Sequence, residues 1–264
     1  MKKLLIIALT ILLVMALTAC NGDSATESAI SSLSDLEAPG VRIGVQNGTT
    51  GHLFAEENFP DAEIDAFPRF SDAVMALNAG SIDAVIIDSL PAAEFVTTND
   101  GALTMLDDFL TFELYGITFQ HGSYLTALFD DAIDQLKASG VFDEIYDYWI
   151  YQAPGASRYV TPPGTEHPNG TLTMATSADF PPFELFEGAD IVGFDPCLAQ
   201  AIGDLIGYDI EIINMLFDSI ITGVQAGQYD FGMSGMTITD DRREFVDFSQ
   251  GYFNSGQVVL IRTP

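Results

Sequence analysis

The feature that most limits the fold is an alternation of short apolar strands with amphipathic helices, run through twice on either side of one Pro/Gly-rich segment. The first run reads as strand Val41–Gln46, helix His52–Asn58, strand Glu63–Phe67, helix Ser71–Asn78 and strand Asp83–Ile87. A helix near Pro91–Thr97, strands at Leu103–Leu106 and Tyr115–Phe119, and helices Tyr124–Ser139 and Phe142–Tyr151 follow. The second reads as strand Thr171–Thr176, helix Pro196–Ile206, strand Asp209–Asn214, helix Ser219–Ala226 and strand Tyr229–Met233. Ala153–Gly170 between them is the clearest linker in the chain. Elements alternating at this spacing predict α/β lobes with mainly parallel sheets. The two runs echo one another: Ser71 to Asp83 and Phe217 to Asp230 each give a helix, an Ala-Gly stop and an Asp before an apolar strand. Any helix-turn-strand unit shares that outline. Two similar lobes would nonetheless leave a cleft, the usual seat of a small ligand.

The charge balance narrows the class of ligand. Nine Lys and Arg stand against 38 Asp and Glu in 264 residues, a formal net charge of −29. Such a field repels phosphate backbones and anionic headgroups, which argues against nucleic-acid binding. Hydrophobic residues make up 48% of the chain, enough to bury a sizeable core.

At the N-terminus, Lys2 and Lys3 precede an apolar run from Leu4 to Ala19. It is shorter than the ~20 residues a spanning helix needs and has the layout of a signal peptide, expected over residues 1–19. Leu17-Thr-Ala-Cys20 resembles the bacterial lipobox, which implies lipidation at Cys20 and a polar tether over residues 20–34. The protein is then expected outside the cytoplasm, held to the membrane by lipid alone.

Thr171-Leu-Thr-Met-Ala-Thr-Ser-Ala-Asp-Phe-Pro-Pro-Phe183, Gly193-Phe-Asp-Pro-Cys-Leu-Ala199, Gly235-Met-Thr-Ile-Thr-Asp-Asp-Arg242, Val246-Asp-Phe-Ser249 and Ser255-Gly-Gln-Val258 resemble the first lobe of family 3 bacterial solute-binding proteins. Val41-Arg-Ile-Gly-Val-Gln-Asn-Gly-Thr-Thr-Gly51, Asp83-Ala-Val-Ile-Ile-Asp88 and Tyr115-Gly-Ile-Thr118 resemble its second lobe. The resemblance implies a two-lobed, periplasmic-binding-protein-like (type II) α/β fold that receives a free amino acid for an ABC importer. The lobes stand in reversed order, as in a circular permutation; the alternative is two halves belonging to different units of a tandem array. The expected layout is a second-lobe-like domain over 35–115, a return strand and helices over 116–152, the linker over 153–170 and a first-lobe-like domain over 171–264. With this order, only the crossing near Thr111–Tyr115 is expected to link the lobes covalently, which predicts a wide open ensemble.

A free amino acid is a zwitterion, and its receptor needs a bidentate cation and a fixed anion. Arg242 is the candidate for the carboxylate, because a guanidinium forks onto two oxygens. The family spacing Thr-x-Thr-x-x-Arg selects it over Arg243; a solvated surface arginine is the plain reading. Gly235 and Thr237 are expected to add amide and hydroxyl donors. Asp88 ends an apolar strand, where ligands sit in open α/β sheets, and reads either as the partner of an ammonium or as the cap of the next helix. The Asn47–Gly51 turn offers Thr49 and Thr50, unranked, at a helix start. The resemblance places Phe180 and Phe217 beside the ligand side chain, although core packing also accounts for either. Ser177 stands where many relatives carry an Asp. That departure, with neutral Gln46 and Ile87, points to a neutral amino acid.

Enzymatic readings are weaker. His52, His121 and His167 lack metal-ligand spacing, Cys197 has no paired Cys, and no cofactor or metal is expected. Cys197 beside a helix start reads as a packing residue ahead of a low-pKa thiol. Asp107-Asp108 and Asp240-Asp241 read as solvated caps. An enzyme on the same fold, resembling dehydratases of cyclic acids with Glu184 as its acid, and a sensory module without its own importer are the alternatives.

Overall fold

The computed structural model describes residues 30–263. The signal peptide, Cys20 and most of the tether lie outside the described residues. The tether is shorter than expected. Ile30 and Leu36 are buried, and a 3-10 turn over Leu33–Glu37 is fixed by the Asp35 carboxylate, which accepts from the Ser31 and Ser32 amides at 2.9 Å. Residues 30–34 therefore belong to the folded body.

The first half supplies β1 (Arg42–Gln46), α1 (Thr50–Asn58), β2 (Glu63–Phe67), α2 (Phe70–Asn78), β3 (Ala84–Asp88), α3 (Ser89–Thr98), β4 (Leu103–Met105), β5 (Glu113–Tyr115) and β6 (Thr118–Phe119), then α4 (Tyr124–Ser139) and α5 (Val141–Trp149). The second half supplies β7 (Thr171–Thr176), β8 (Leu185–Glu187), β9 (Asp190–Val192), α6 (Phe194–Ile206), β10 (Asp209–Asn214), α7 (Ile220–Gln225), β11 (Phe231–Gly232), α8 (Asp240–Arg243), β12 (Asp247–Phe248), β13 (Phe253–Ser255) and β14 (Gln257–Arg262).

Two five-stranded sheets result, in the orders β2-β1-β3-β14-β4 and β10-β7-β11-β6-β12. The sequence echo is topological: β2-β1-β3 and β10-β7-β11 are the same parallel arrangement, reached through α2 and α7. Sidedness follows from composition. β3, Ala-Val-Ile-Ile-Asp, is buried along its whole length, as a central strand covered on both faces must be.

Each sheet also takes a strand from the other half. β6 lies between β11 and β12, antiparallel to both. β14 lies between β3 and β4, antiparallel to both. Two expectations change. Residues 257–262 leave the 171–264 domain and complete the opposite sheet. A second covalent crossing joins the lobes at Phe253–Ser255, paired antiparallel with Glu113–Tyr115. The Ser255-Gly-Gln-Val258 motif runs straight from hinge strand into sheet strand. Gly256 permits it, since a Cβ there would stand 2.2 Å from the Thr111 carbonyl oxygen. The two halves thus pair strands with one another in both directions.

The 153–170 segment returns the chain from α5 to β7 within one lobe. Asp204 of α6 fastens it, accepting from the Tyr159 hydroxyl at 2.8 Å and lying 2.9 Å from His167 Nε2. Cys197 packs under Trp149, whose indole N–H donates to Sγ at 3.1 Å. Burial raises that thiol's pKa, the reverse of an activated cysteine.

Candidate functional site

The C-terminal ends of β1, β3 and β7 and the N-terminal ends of α1, α2 and α8 converge on one narrow cavity. Gln46, Thr49, Thr50, Ser177, Phe180, Phe217, Gly235, Thr237, Asp88 and Arg242, the ten candidate ligand residues, all line it. Phe70, Asp179 and Ser234 complete the lining. Ile87 does not reach it and packs in the core.

Arg242 is buried, not solvated. Thr239 caps α8, accepting from the Arg242 amide, so the side chain leaves the first turn of the helix and enters the cleft. Nη1 donates to the Thr237 carbonyl at 2.6 Å, and Nη2 reaches the other lobe, donating to the Gly48 carbonyl at 3.0 Å. The guanidinium lies 5.5 Å from the centre of the Phe217 ring. Desolvation lowers its pKa to about 10, and Glu113 and Asp88 oppose that shift, so it stays a cation at neutral pH.

Asp88 precedes α3 but makes no side-chain capping bond. Its Oδ1 accepts instead from the Tyr115 hydroxyl, and from Ser255 Oγ at 3.3 Å. Burial, with Glu113 nearby, raises its pKa to about 7. A carboxyl so poised lacks a cation, and a ligand ammonium supplies one.

Two expected donors are already engaged. The Gly235 amide donates to Asp195 Oδ2 at 2.9 Å, and the Thr237 hydroxyl donates to Glu113 Oε2 at 2.6 Å. Gly235 instead gives the cavity its shape: at φ +52°, a Cβ would meet the Phe180 ring at 2.5 Å. Thr49 caps α1, accepting from the His52 amide and donating to the Gln46 carbonyl.

Sequence reasoning missed Glu113. It stands buried in hinge strand β5, and the hydroxyls of Thr50, Thr111 and Thr237 donate to it at 3.0, 2.8 and 2.6 Å. The Gln257 amide is 3.4 Å away. One carboxylate thereby ties both crossings to both lobes. A lone Glu between Phe112 and Leu114 carries no pattern that announces this.

Glu184 is fully buried beneath Ser234, whose hydroxyl donates to it at 2.6 Å. Asp195 beside it accepts from Gly235 and, at 2.9 Å, from the Tyr252 hydroxyl. Burial and mutual repulsion raise the pKa of Glu184 far above its ordinary value, and burial raises that of Asp195. Their remaining oxygens have no other protein partner, a need that one proton held between them meets. Glu184 does not line the cavity.

Two interlocked α/β lobes, a double-stranded hinge and a charged cleft at the strand ends define a periplasmic-binding-protein-like fold of type II. Residues 172–264 match the bacterial extracellular solute-binding proteins of family 3. The arginine-binding extracellular protein ArtP of Bacillus subtilis is 44% identical over 97 residues, 37% of this chain and 38% of that protein. A probable histidine-binding protein of Neisseria gonorrhoeae is 38% identical over 36% of each chain. Among solved structures, an ancestral arginine-binding protein bound to arginine is 46% identical over 32% of this chain and 38% of its own, with a TM-score of 0.31. The chain thus spans under two-fifths of the length of the relatives it matches in sequence. Among the described residues, no helix is long and apolar enough to cross a membrane.

Proposed function

We propose that the protein is a receptor that closes two lobes on a free amino acid and presents it to an ABC importer. The observation carrying this reading is that a buried guanidinium from one lobe and a buried carboxyl from the other line the same cavity, Arg242 and Asp88. Arg242 takes the α-carboxylate and Asp88 the α-ammonium, while the start of α1 at Thr50 offers amide donors to the carboxylate from the second lobe. Thr49 shapes that turn. Phe180 and Phe217 flank the ligand side chain, with Gln46 and Ser177 as its polar neighbours. The names of the relatives, arginine- and histidine-binding, support an amino acid over other zwitterions. The protein works outside the cytoplasm, lipid-anchored through Cys20, with its family's lobes in permuted order; the placement of β14 inside the sheet of the first half supports that order. The placement of Glu184, which does not line the cavity, supports a binding role over the dehydratase reading.

Thermal-shift screening of the purified protein against the 20 amino acids tests this. Ligand at a hundredfold excess over Kd adds roughly 2.7 kcal/mol of stability, a clear rise in Tm. Arg242→Ala and Asp88→Ala are expected to abolish the rise and keep the circular dichroism spectrum. A flat response to all 20 overturns the reading.

A further inference from the structure

The cavity contains three charged side chains: Arg242, Asp88 and Asp179. The zwitterion of an amino acid uses the first two, so the third remains unanswered. Asp179 belongs to the lobe of β7, two residues past Ser177, and its Oδ2 accepts from the Ser71 amide at 2.9 Å. That bond spans the cleft and caps the start of α2, whose own N-cap residue, Arg69, makes no side-chain capping bond. Among the described residues, no Lys, Arg or His side chain forms an ion pair with Asp179. Arg69 and Asp72 act on it at longer range with opposite signs. Its carboxyl is half-buried, and burial raises its pKa, the mark of an anion short of a counter-charge. Beside it, Phe180 stacks on Phe70 across the cleft, with ring centres 5.7 Å apart. Both rings line the cavity.

Resting on the amino-acid reading above, we propose that Asp179 is the counter-ion for a cationic ligand side chain, so that the site selects amino acids carrying a guanidinium or a second ammonium. The charge absent at Ser177 returns two residues later, from a position that also fastens the lobes. The neutral ligand expected from Ser177, Gln46 and Ile87 is thereby replaced: a ligand ammonium that holds Asp88 ionised beside Arg242 leaves Asp179 as one surplus negative charge among the side chains lining the cavity. A cationic amino acid cancels it; a neutral one buries it.

Isothermal titration of the protein with L-arginine, L-lysine, L-citrulline and L-glutamine tests this. Citrulline matches arginine in shape without the charge. The unaltered protein is expected to bind arginine or lysine at least tenfold more tightly than citrulline and glutamine. Asp179→Asn keeps an acceptor for the Ser71 amide and removes the charge. It is expected to weaken binding of the cations about 10- to 100-fold, the scale of a charged hydrogen bond, and to leave citrulline and glutamine within about twofold. Ser71→Pro removes the amide and keeps the charge, so affinities fall together while the preference for cations persists. Equal losses for all four ligands on Asp179→Asn overturn the proposal and reduce Asp179 to a lobe fastener. Citrulline binding as tightly as arginine overturns it too, with the receptor reading intact. Failure of all four to bind, in a protein that unfolds cooperatively, overturns the proposal, and the receptor reading falls with it only if the thermal-shift screen of all 20 amino acids is also flat.

Discussion

The two sheets share a plan and differ in what they borrow. The sheet of the first half receives β14, six residues that fill the gap between β3 and β4 and are buried from Gln257 to Ile261. The sheet of the second half receives β6, only two residues, wedged between β11 and β12. The longer loan carries backbone hydrogen bonding on both sides. The shorter one works through a side chain, because Phe119 meets Phe129 and Phe231 at ring distances of 5.0 and 6.2 Å. A borrowed strand can thus be held by its ladder or by its core contact, and neither half finishes its sheet alone.

The largest effect is expected at the longer loan. Val259→Asp places an unpaired charge at a fully buried position in β14 and should cost about 4 kcal/mol or more. If the halves are interlocked, near-ultraviolet and far-ultraviolet dichroism lose structure in one transition. Retention of a native-like second sheet in this variant would show that the lobes fold separately.

Phe119→Ala comes next. Deleting a fully buried ring should cost about 3–5 kcal/mol, read as a lower urea midpoint. An effect below about 1 kcal/mol would mean that β6 is held by its few backbone bonds after all.

The smallest and most graded effect concerns the cleft between the sheets. Asp88 has a folded pKa of about 7 against an ordinary 3.8, so folding favours its protonated form. Its contribution is fully present below about pH 4 and is lost as pH rises through 7, with a slope of at most about 1.4 kcal/mol per pH unit. Without ligand, denaturation midpoints should therefore fall between pH 5 and 8, and Asp88→Asn should flatten the curve by one proton. An unchanged slope in that variant would assign the titration to Glu184 and Asp195 beneath the cavity.

Much of this architecture is legible along the chain. The strands Glu63–Phe67 and Thr171–Thr176 and the helix Tyr124–Ser139 end where the apolar pattern ends, because each is bounded by Gly, Pro or Ser. The ten candidate residues converge because strand ends and helix starts meet at one edge of an α/β lobe. The rest depends on partners the pattern does not name. Gln257-Val-Val-Leu-Ile reads as an apolar strand but says nothing about which sheet receives it. The β8–β9 hairpin is short and acidic at its turn, so it leaves no periodic trace. Glu113, Asp179 and Ser234 matter through neighbours 50 to more than 100 residues away, beyond any local window.

The paired crossings at Glu113–Tyr115 and Phe253–Ser255 have a mechanical meaning. A single tether swivels freely, whereas two hydrogen-bonded ribbons side by side resist torsion and yield chiefly by flexing, like the leaf of a book along its spine. Reopening this jaw therefore has one soft coordinate, and whatever a bound molecule contributes goes into the angle between the covers instead of being dispersed over rotations that lead nowhere.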